Sequence, residues 1–178
     1  GDKHIPWIHN VKNTDMVIDI DDEDSQRLLR LFNTPEGRTY LKEELRLAPE
    51  LVEQLTWLGI SGIANVLCCI KMAKYYEFTS RDVVGTVLTD SAAMYQSRIG
   101  ELNGEYGAYT VHEAALDHGV HMLAVKTDSM QELTYADRKR VHNLKYYTWV
   151  EQQGKTVEEL NALWYEGIWD AVHAQAQD

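Results

Sequence analysis

The stretch 60–76, Ile-Ser-Gly-Ile-Ala-Asn-Val-Leu-Cys-Cys-Ile-Lys-Met-Ala-Lys-Tyr-Tyr, constrains this chain more than any other. Its spacing predicts one long helix, with Ile63, Ala64, Val66, Leu67, Ile70, Met72 and Ala73 falling nearly all round the axis. A helix that is apolar on every side needs neighbours on every side. It is too short to serve a bilayer instead: the apolar run covers only about residues 60 to 70 and is broken by Ser61, Gly62 and Asn65. The chain must therefore surround this helix with other elements, its own or another's.

The flanking sequence supplies candidates. Met16 to Ile20 is rich in β-branched residues and reads as a short strand. The acidic run Asp21, Asp22, Glu23, Asp24 suits a first helical turn, where carboxylates meet the positive end of the dipole. That helix carries Leu28, Leu29 and Phe32 inward and stops before Pro35. A second helical pattern covers roughly 36 to 46. A third starts at Pro49, puts Leu51, Val52, Leu55 and Leu58 on one face, and ends at Gly59. After the apolar helix, Val83-Val84-Gly85-Thr86-Val87-Leu88 reads as a buried strand, and Thr89-Asp90-Ser91 ends it and caps a helix from Ala92. This alternation is α/β in character, with few strands and many helices. From 101 the texture changes. Gly104 and Gly107 mark a loop, 110–124 and 134–152 are helical, and a capping box at Thr156 to Glu159 opens one last helix. The expected organisation is an α/β part over 1–100 and a helical extension over 101–178.

Composition narrows the function. The formal net charge is -11, so a general nucleic-acid surface is not expected. No membrane span is expected either. Cys68 and Cys69 are the two cysteines; neighbouring thiols are geometrically ill suited to pair with each other, and no CxxC spacing suggests zinc. They read as core thiols in a reducing, cytoplasmic setting.

Chemistry concentrates at Gly59-Ile60-Ser61-Gly62. Glycines on both sides of a serine permit a tight turn and close approach of a ligand to the backbone. A serine at a helix start either caps the helix or reaches a ligand.

Three motifs in a fixed order resemble cysteine synthases and their relatives, the fold-type II pyridoxal-phosphate (PLP) enzymes. Gly1-Asp2-Lys3-His4-Ile5-Pro6 is similar to that family's glycine-rich loop ending in Ile-Pro. Gly59-Ile60-Ser61-Gly62-Ile63-Ala64-Asn65 resembles its Gly-Ile-Ser-Ser-Gly-Ala turn and buried helix. Val83 to Leu88 with Thr89-Asp90-Ser91 and Tyr95 is similar to its strand and Pro-Asp-Ser-x-x-x-Tyr pattern. The remainder looks like the C-terminal extension of a bacterial branch of cysteine-synthase-like proteins.

The resemblance implies roles. Ser61 falls where the family bonds the pyridine nitrogen of PLP, Gly1 on a glycine of the cofactor loop, and Asp90 and Ser91 near the ring edge. It also implies a homodimer of the complete enzyme and an amino-acid substrate such as cysteine, serine or an O-activated serine. The departures are as informative. The family's Schiff-base lysine and phosphate-binding loop lie far upstream of these motifs, and none of the nine lysines here has that context. The second motif reads Ser-Gly-Ile where the family has Ser-Ser-Gly. The expectation is thus a fragment or subunit of a PLP-dependent lyase or β-replacement enzyme, inactive alone, whose lysine comes from a missing N-terminal segment. The abrupt opening at Gly1, which reads like the middle of a loop, suits a break that is natural, proteolytic or introduced by cloning. A fragment should also expose a large apolar surface around 61–76 and 83–88.

Other classes have separate signals. A non-catalytic helical binding or regulatory module would use the basic cluster Arg138, Lys139, Arg140, His142 and Lys145, whose plainer reading is a solvated helix face. His118 and His121 share a helical face with His112 nearby, but no carboxylate pattern completes a metal helix, and packed or exposed histidines are expected. A nucleophile elbow for Ser-His-Asp catalysis is lacking.

Overall fold

Capping chemistry sets where the helices begin. In the computed structural model, which describes residues 9–176, the side chain of Asp21 accepts from the Glu23 amide at 2.9 Å and opens α1 (Asp22–Asn33). Asp22, Glu23 and Asp24 fill its first turn. Leu28, Leu29, Leu31 and Phe32 are buried on its inner side. Thr34 closes α1 with its amide and opens α2 (Pro35–Glu43) with its hydroxyl, which accepts from Gly37. Gly37 is required at this corner: a Cβ there would sit 2.1 Å from the carbonyl oxygen of Leu31. Next come α3 (Pro49–Leu55) and α4 (Ile60–Tyr75). A 3₁₀ turn, Ala92–Tyr95, leads into α5 (Gln96–Tyr106), which stops at Gly107, where φ is +82°. α6 (Val111–His118) continues into a π-helical turn, Gly119–Leu123.

These elements belong to the first of two compact units, Ile18–Ser129. Its core is a contact set of α1, α2, α4 and α6, with Val52, Leu58, Ile63, Leu67, Tyr109 and Ala114 buried between them. A lysine reaches this interior. Lys71 of α4 is buried, and its Nζ donates to the carbonyls of Asp19 (3.0 Å) and Asp128 (2.9 Å) and pairs with the Asp128 carboxylate at 3.2 Å. Buried charge is tolerated where it is both paired and hydrogen-bonded.

The second unit comprises Gly1–Val17 and Met130–Asp178. It contains α7 (Tyr135–Leu144), a π-helical turn (Tyr147–Gln152), α8 (Val157–Ala162) and α9 (Glu166–Gln175). Thr134 and Thr156 each form a complete capping box, with Asp137 and Glu159. Val11, Leu133, Leu160 and Leu163 are its buried apolar residues.

The strands β1 (Met16–Ile18) and β2 (Met130–Glu132) form a two-stranded sheet. The Leu133 amide donates to Asp15 and the Asp19 amide to Ser129, at 2.8 and 2.9 Å, so the strands run in opposite directions. The described chain is mostly helical with this one small sheet.

Several expectations need correction. The segment 83–88 is not a strand: it is extended without ladder partners, and Val83 is 95% exposed, Val87 69% and Leu88 54%. An isolated strand has nothing to pair with, so propensity alone cannot make it one. α4 is fully buried only at Gly62, Ile63, Leu67 and Lys71; its other apolar positions are half-buried. Leu51 points to solvent, and α3 ends at Leu55 rather than Gly59. Gly104 lies inside α5, which runs through residue 100 without a break. The last helix is two, because the chain turns between α8 and α9.

Candidate functional site

The start of α4 is where the sequence motifs converge. Gly59 is its N-cap, in extended backbone, and contributes no side chain. Its amide donates to the carbonyl of Asp90 at 3.0 Å. A Cβ on Gly59 would lie 2.5 Å from Cγ of Asp90, so glycine is what lets the carboxylate lie against the turn. One turn further on, Nδ2 of Asn65 donates to the carbonyl of Val87 at 2.8 Å. Leu88 stands within van der Waals distance, 3.6 Å, of where a Cβ of Gly62 would be. Two segments some thirty residues apart are thereby bound together at one helix end, with Ser61 in its first turn.

Three of the four predicted site residues lie among the described ones. Ser61 is exposed, and its hydroxyl makes no hydrogen bond among the described residues. Ser91 is half-buried, and its oxygen accepts from the Ala93 amide at 3.3 Å, which leaves its own proton to donate. Asp90 takes a short hydrogen bond from the Tyr95 hydroxyl. That bond holds the phenol's proton, so the Tyr95 pKa lies above the ordinary tyrosine value. Gly1 lies outside the described residues. The structure sets Asp90 against Gly59, two residues before Ser61, and Ser91 follows Asp90 in the chain. The Asp90 carboxylate is bonded to Tyr95, and the Ser61 hydroxyl and the Ser91 proton are uncommitted.

No described lysine amine bonds into this turn. Lys71 is ten residues along the same helix, which is about 15 Å of rise, and its amine is tied to Asp19 and Asp128. Lys74 donates to the carbonyls of Leu123 and Val125.

Two cavities lie elsewhere among the described residues. One of about 320 Å³ is lined by Asp24, Lys71, Val120, Ala124, Val125, Lys126 and Asp128. Another of about 250 Å³ is lined by Asp19, Asp21, Glu23, Asp24, Lys71, Asp128 and Ser129. Both are lined by Asp24, Lys71 and Asp128, and the sequence alone had not singled out Lys71. Its signal was a lysine inside an apolar helix.

The histidines have separate partners. His118 Nδ1 bonds the Tyr40 hydroxyl at 3.1 Å, and burial lowers its pKa. His121 pairs with Asp24 at 2.6 Å, and His112 is exposed. No group of three or more His, Cys, Asp or Glu among the described residues could hold a metal ion. Cys68 and Cys69 are free and half-buried; burial raises the Cys68 pKa, with Cys69 adding to it.

The basic cluster of α7 is not one solvated face. Arg138 pairs with Asp15 at 2.7 Å, Arg140 pairs with Asp137 at 2.8 Å, and Lys139 sits 4.4 Å from the ring centre of Trp164. His142 and Lys145 are buried. The Lys145 amine donates to the His9 carbonyl, and burial lowers its pKa to about 8. The His142 pKa is lowered as well, to about 4, by burial and then by Lys139 and Lys145.

Compared with known proteins, the chain matches no family model, no curated protein and no solved structure.

Proposed function

We propose that this chain is the C-terminal part of a PLP-dependent lyase or β-replacement enzyme of the cysteine-synthase-like, fold-type II kind, acting on a small amino acid. The observation that supports the reading is that the Gly59 and Asp90 motifs, thirty residues apart, are bonded to each other at the start of α4, since the resemblance implies that Ser61, Asp90 and Ser91 lie beside one cofactor ring.

The donor set fits one edge of the group and not its anchor. Ser61 offers an uncommitted hydroxyl, Ser91 an uncommitted proton, and the first turn of α4 has no acidic residue. When bound, PLP withdraws electrons from the bond being broken at the substrate's Cα. Ser61 would bond the pyridine nitrogen. A neutral hydroxyl, unlike a carboxylate, does not hold a proton there, which favours elimination and replacement over transamination. Asp90 would compete poorly for that nitrogen, because its carboxylate already accepts from the Tyr95 hydroxyl. The amine that anchors the cofactor and takes the Cα proton comes from a polypeptide segment other than this one, and the isolated chain is inactive.

The test is Ser61→Ala, with Ser61→Thr as the conservative control, in the enzyme assembled with its lysine-bearing segment. The expected result is a shifted cofactor absorbance band and a lower kcat with an O-activated serine, restored by Thr. An unchanged band and rate in Ser61→Ala refutes the role of Ser61, and an assembled protein that carries no cofactor refutes the reading as a whole.

A further inference from the structure

The unit built on α7 buries bases without acids. The chain has 28 acidic residues, yet His142 and Lys145 are buried and no carboxylate among the described residues pairs with either. The unit's carboxylates are engaged elsewhere or face solvent. Asp15 pairs with Arg138, Asp137 with Arg140 and the Thr134 cap, and Glu159 with Lys155 and the Thr156 cap. Glu132, Glu151, Glu158 and Asp170 are exposed.

The helix sets the cluster's geometry. Lys139 stands three residues before His142 and Lys145 three after, so one face puts an imidazole between two ammonium groups. The His142 Nε2 is buried without a partner, its ring lies against Trp164, and Lys139 stands over that same indole. Lys145 ties in a second imidazole. Its amine donates to the carbonyl of His9, whose Nε2 is hydrogen-bonded to the Thr14 hydroxyl at 2.7 Å and whose Nδ1 is buried without a partner. Arg138 fastens the same segment to α7 by donating to the Thr14 carbonyl at 2.8 Å.

Neutral rings fit this cluster. A protonated ring adds a charge that no anion meets, and its new N–H is buried without an acceptor. The charges acting on His142 are those of Lys139 and Lys145, and the charge acting on His9 is that of Lys145. Burial and these charges lower both pKa values, that of His142 to about 4. Between that value and the ordinary 6.5, a state in which the ring reaches water takes up the proton and the packed state does not, so falling pH favours opening. We infer that His9, Lys139, His142 and Lys145 form an acid-operated clasp, which holds residues 9–14 and the Trp164 turn against α7 at neutral pH and releases both as the solution becomes mildly acidic. The capping carboxylates Asp137 and Glu159, held below the ordinary carboxylate range by their caps, keep their charge in that window.

Amide hydrogen exchange of the full chain at pH 7 and 5.5, corrected for the intrinsic rate at each pH, tests the clasp. The amides of Asn13, Thr14 and Trp164, each bonded within these two pieces, should lose roughly tenfold in protection at pH 5.5, the factor His142 alone supplies. Amides of α4, in the other unit, should hold steady. His142→Leu should remove most of the loss, and His142→Leu with His9→Gln all of it. Protection unchanged at pH 5.5, a loss shared equally by α4, or an equal loss in the double variant overturns the proposal. Should the double variant not fold, the Cε1 protons of His9 and His142 decide in the wild-type chain: both titrating near 6.5 with protection intact overturns it, and both titrating lower, in step with the lost protection, supports it.

Discussion

Acidification should destabilise the unit built on α7, chiefly through the imidazole of His142, with His9 acting in the same sense. His142 is 1% exposed, and its Nε2 is buried with no hydrogen-bond partner. Its ring packs against Trp164 with centroids 5.2 Å apart, and the charges of Lys139 and Lys145 oppose its protonation. The folded pKa is about 4 against an ordinary 6.5. Between those two values the unfolded chain binds the proton and the folded chain does not, so stability rises with pH across the window and falls on acidification through it. A shift of this size is worth on the order of 3 kcal/mol, fully lost by about pH 4. Asp117, in the other unit, acts in the opposite sense: burial raises its pKa, so it contributes stability as pH falls. The comparison must therefore be with His142→Leu, in which Asp117 is unchanged and the imidazole is gone. Denaturant unfolding of both proteins at pH 7 and pH 4 gives the double difference. We expect the wild-type chain to lose on the order of 3 kcal/mol more than the variant. Parallel losses, or a His142 Cε1 proton that titrates near pH 6.5 by NMR, would refute the reasoning.

Lys145→Met should stabilise the same unit near neutrality by on the order of 2 kcal/mol, the relief of a buried cation less the hydrogen bond lost at His9. Because the lysine's folded pKa, about 8, lies below its ordinary 10.5, the advantage should fade as pH rises between those values, which unfolding curves at pH 7 and 10.5 would show. Gly37→Ala should cost roughly 3 kcal/mol, because its Cβ meets backbone at 2.1 Å and neither Leu31 nor Thr34 can yield without opening the α1–α2 corner; thermal melting reads it directly. Gly59→Ala should cost less, roughly 1 kcal/mol, since the atom it meets is the end of a side chain, and Asp90→Gly in the same chain should recover most of it.

What could be read from the sequence follows how local each signal is. The start of α1 was legible because Asp21 and the three acids after it act within one turn. The capping box at Thr156, the stop before Pro35 and the cap at Ser91 are likewise chemistry between residues two to four apart, whereas the equally local box at Thr134 was passed over. The segment 83–88 was misread because β-propensity says only that a strand fits, not that a neighbour is present. Gly104 was read as a breaker, yet a glycine costs a helix only about 1 kcal/mol and tertiary packing repays it; Leu102, two residues earlier, is buried in that helix. The site was legible in part. Periodicity put Ser61 at a helix start, but nothing local said that Asp90 would lie against Gly59 or that Lys71 would be fixed by two carbonyls far away in sequence.

On the proposed reading the anchoring amine would come from outside this chain, and six of its nine lysines are visibly committed elsewhere. An anchoring amine must be free of competing partners and must stand at the cofactor's edge. Lys42 and Lys155 are held by Glu53 and Glu159 at 3.0 and 3.5 Å. Lys71 and Lys74 spend their protons on carbonyls in the first unit, and Lys139 lies against Trp164. Lys145 has the lowered pKa that a nucleophilic amine needs, but it is fully buried and belongs to the other unit. A depressed pKa is therefore not the discriminating property here. Position is, and the residues that do stand at the start of α4 are hydroxyls and a carboxylate, a set able to orient a ring nitrogen and unable to form a bond to an aldehyde carbon.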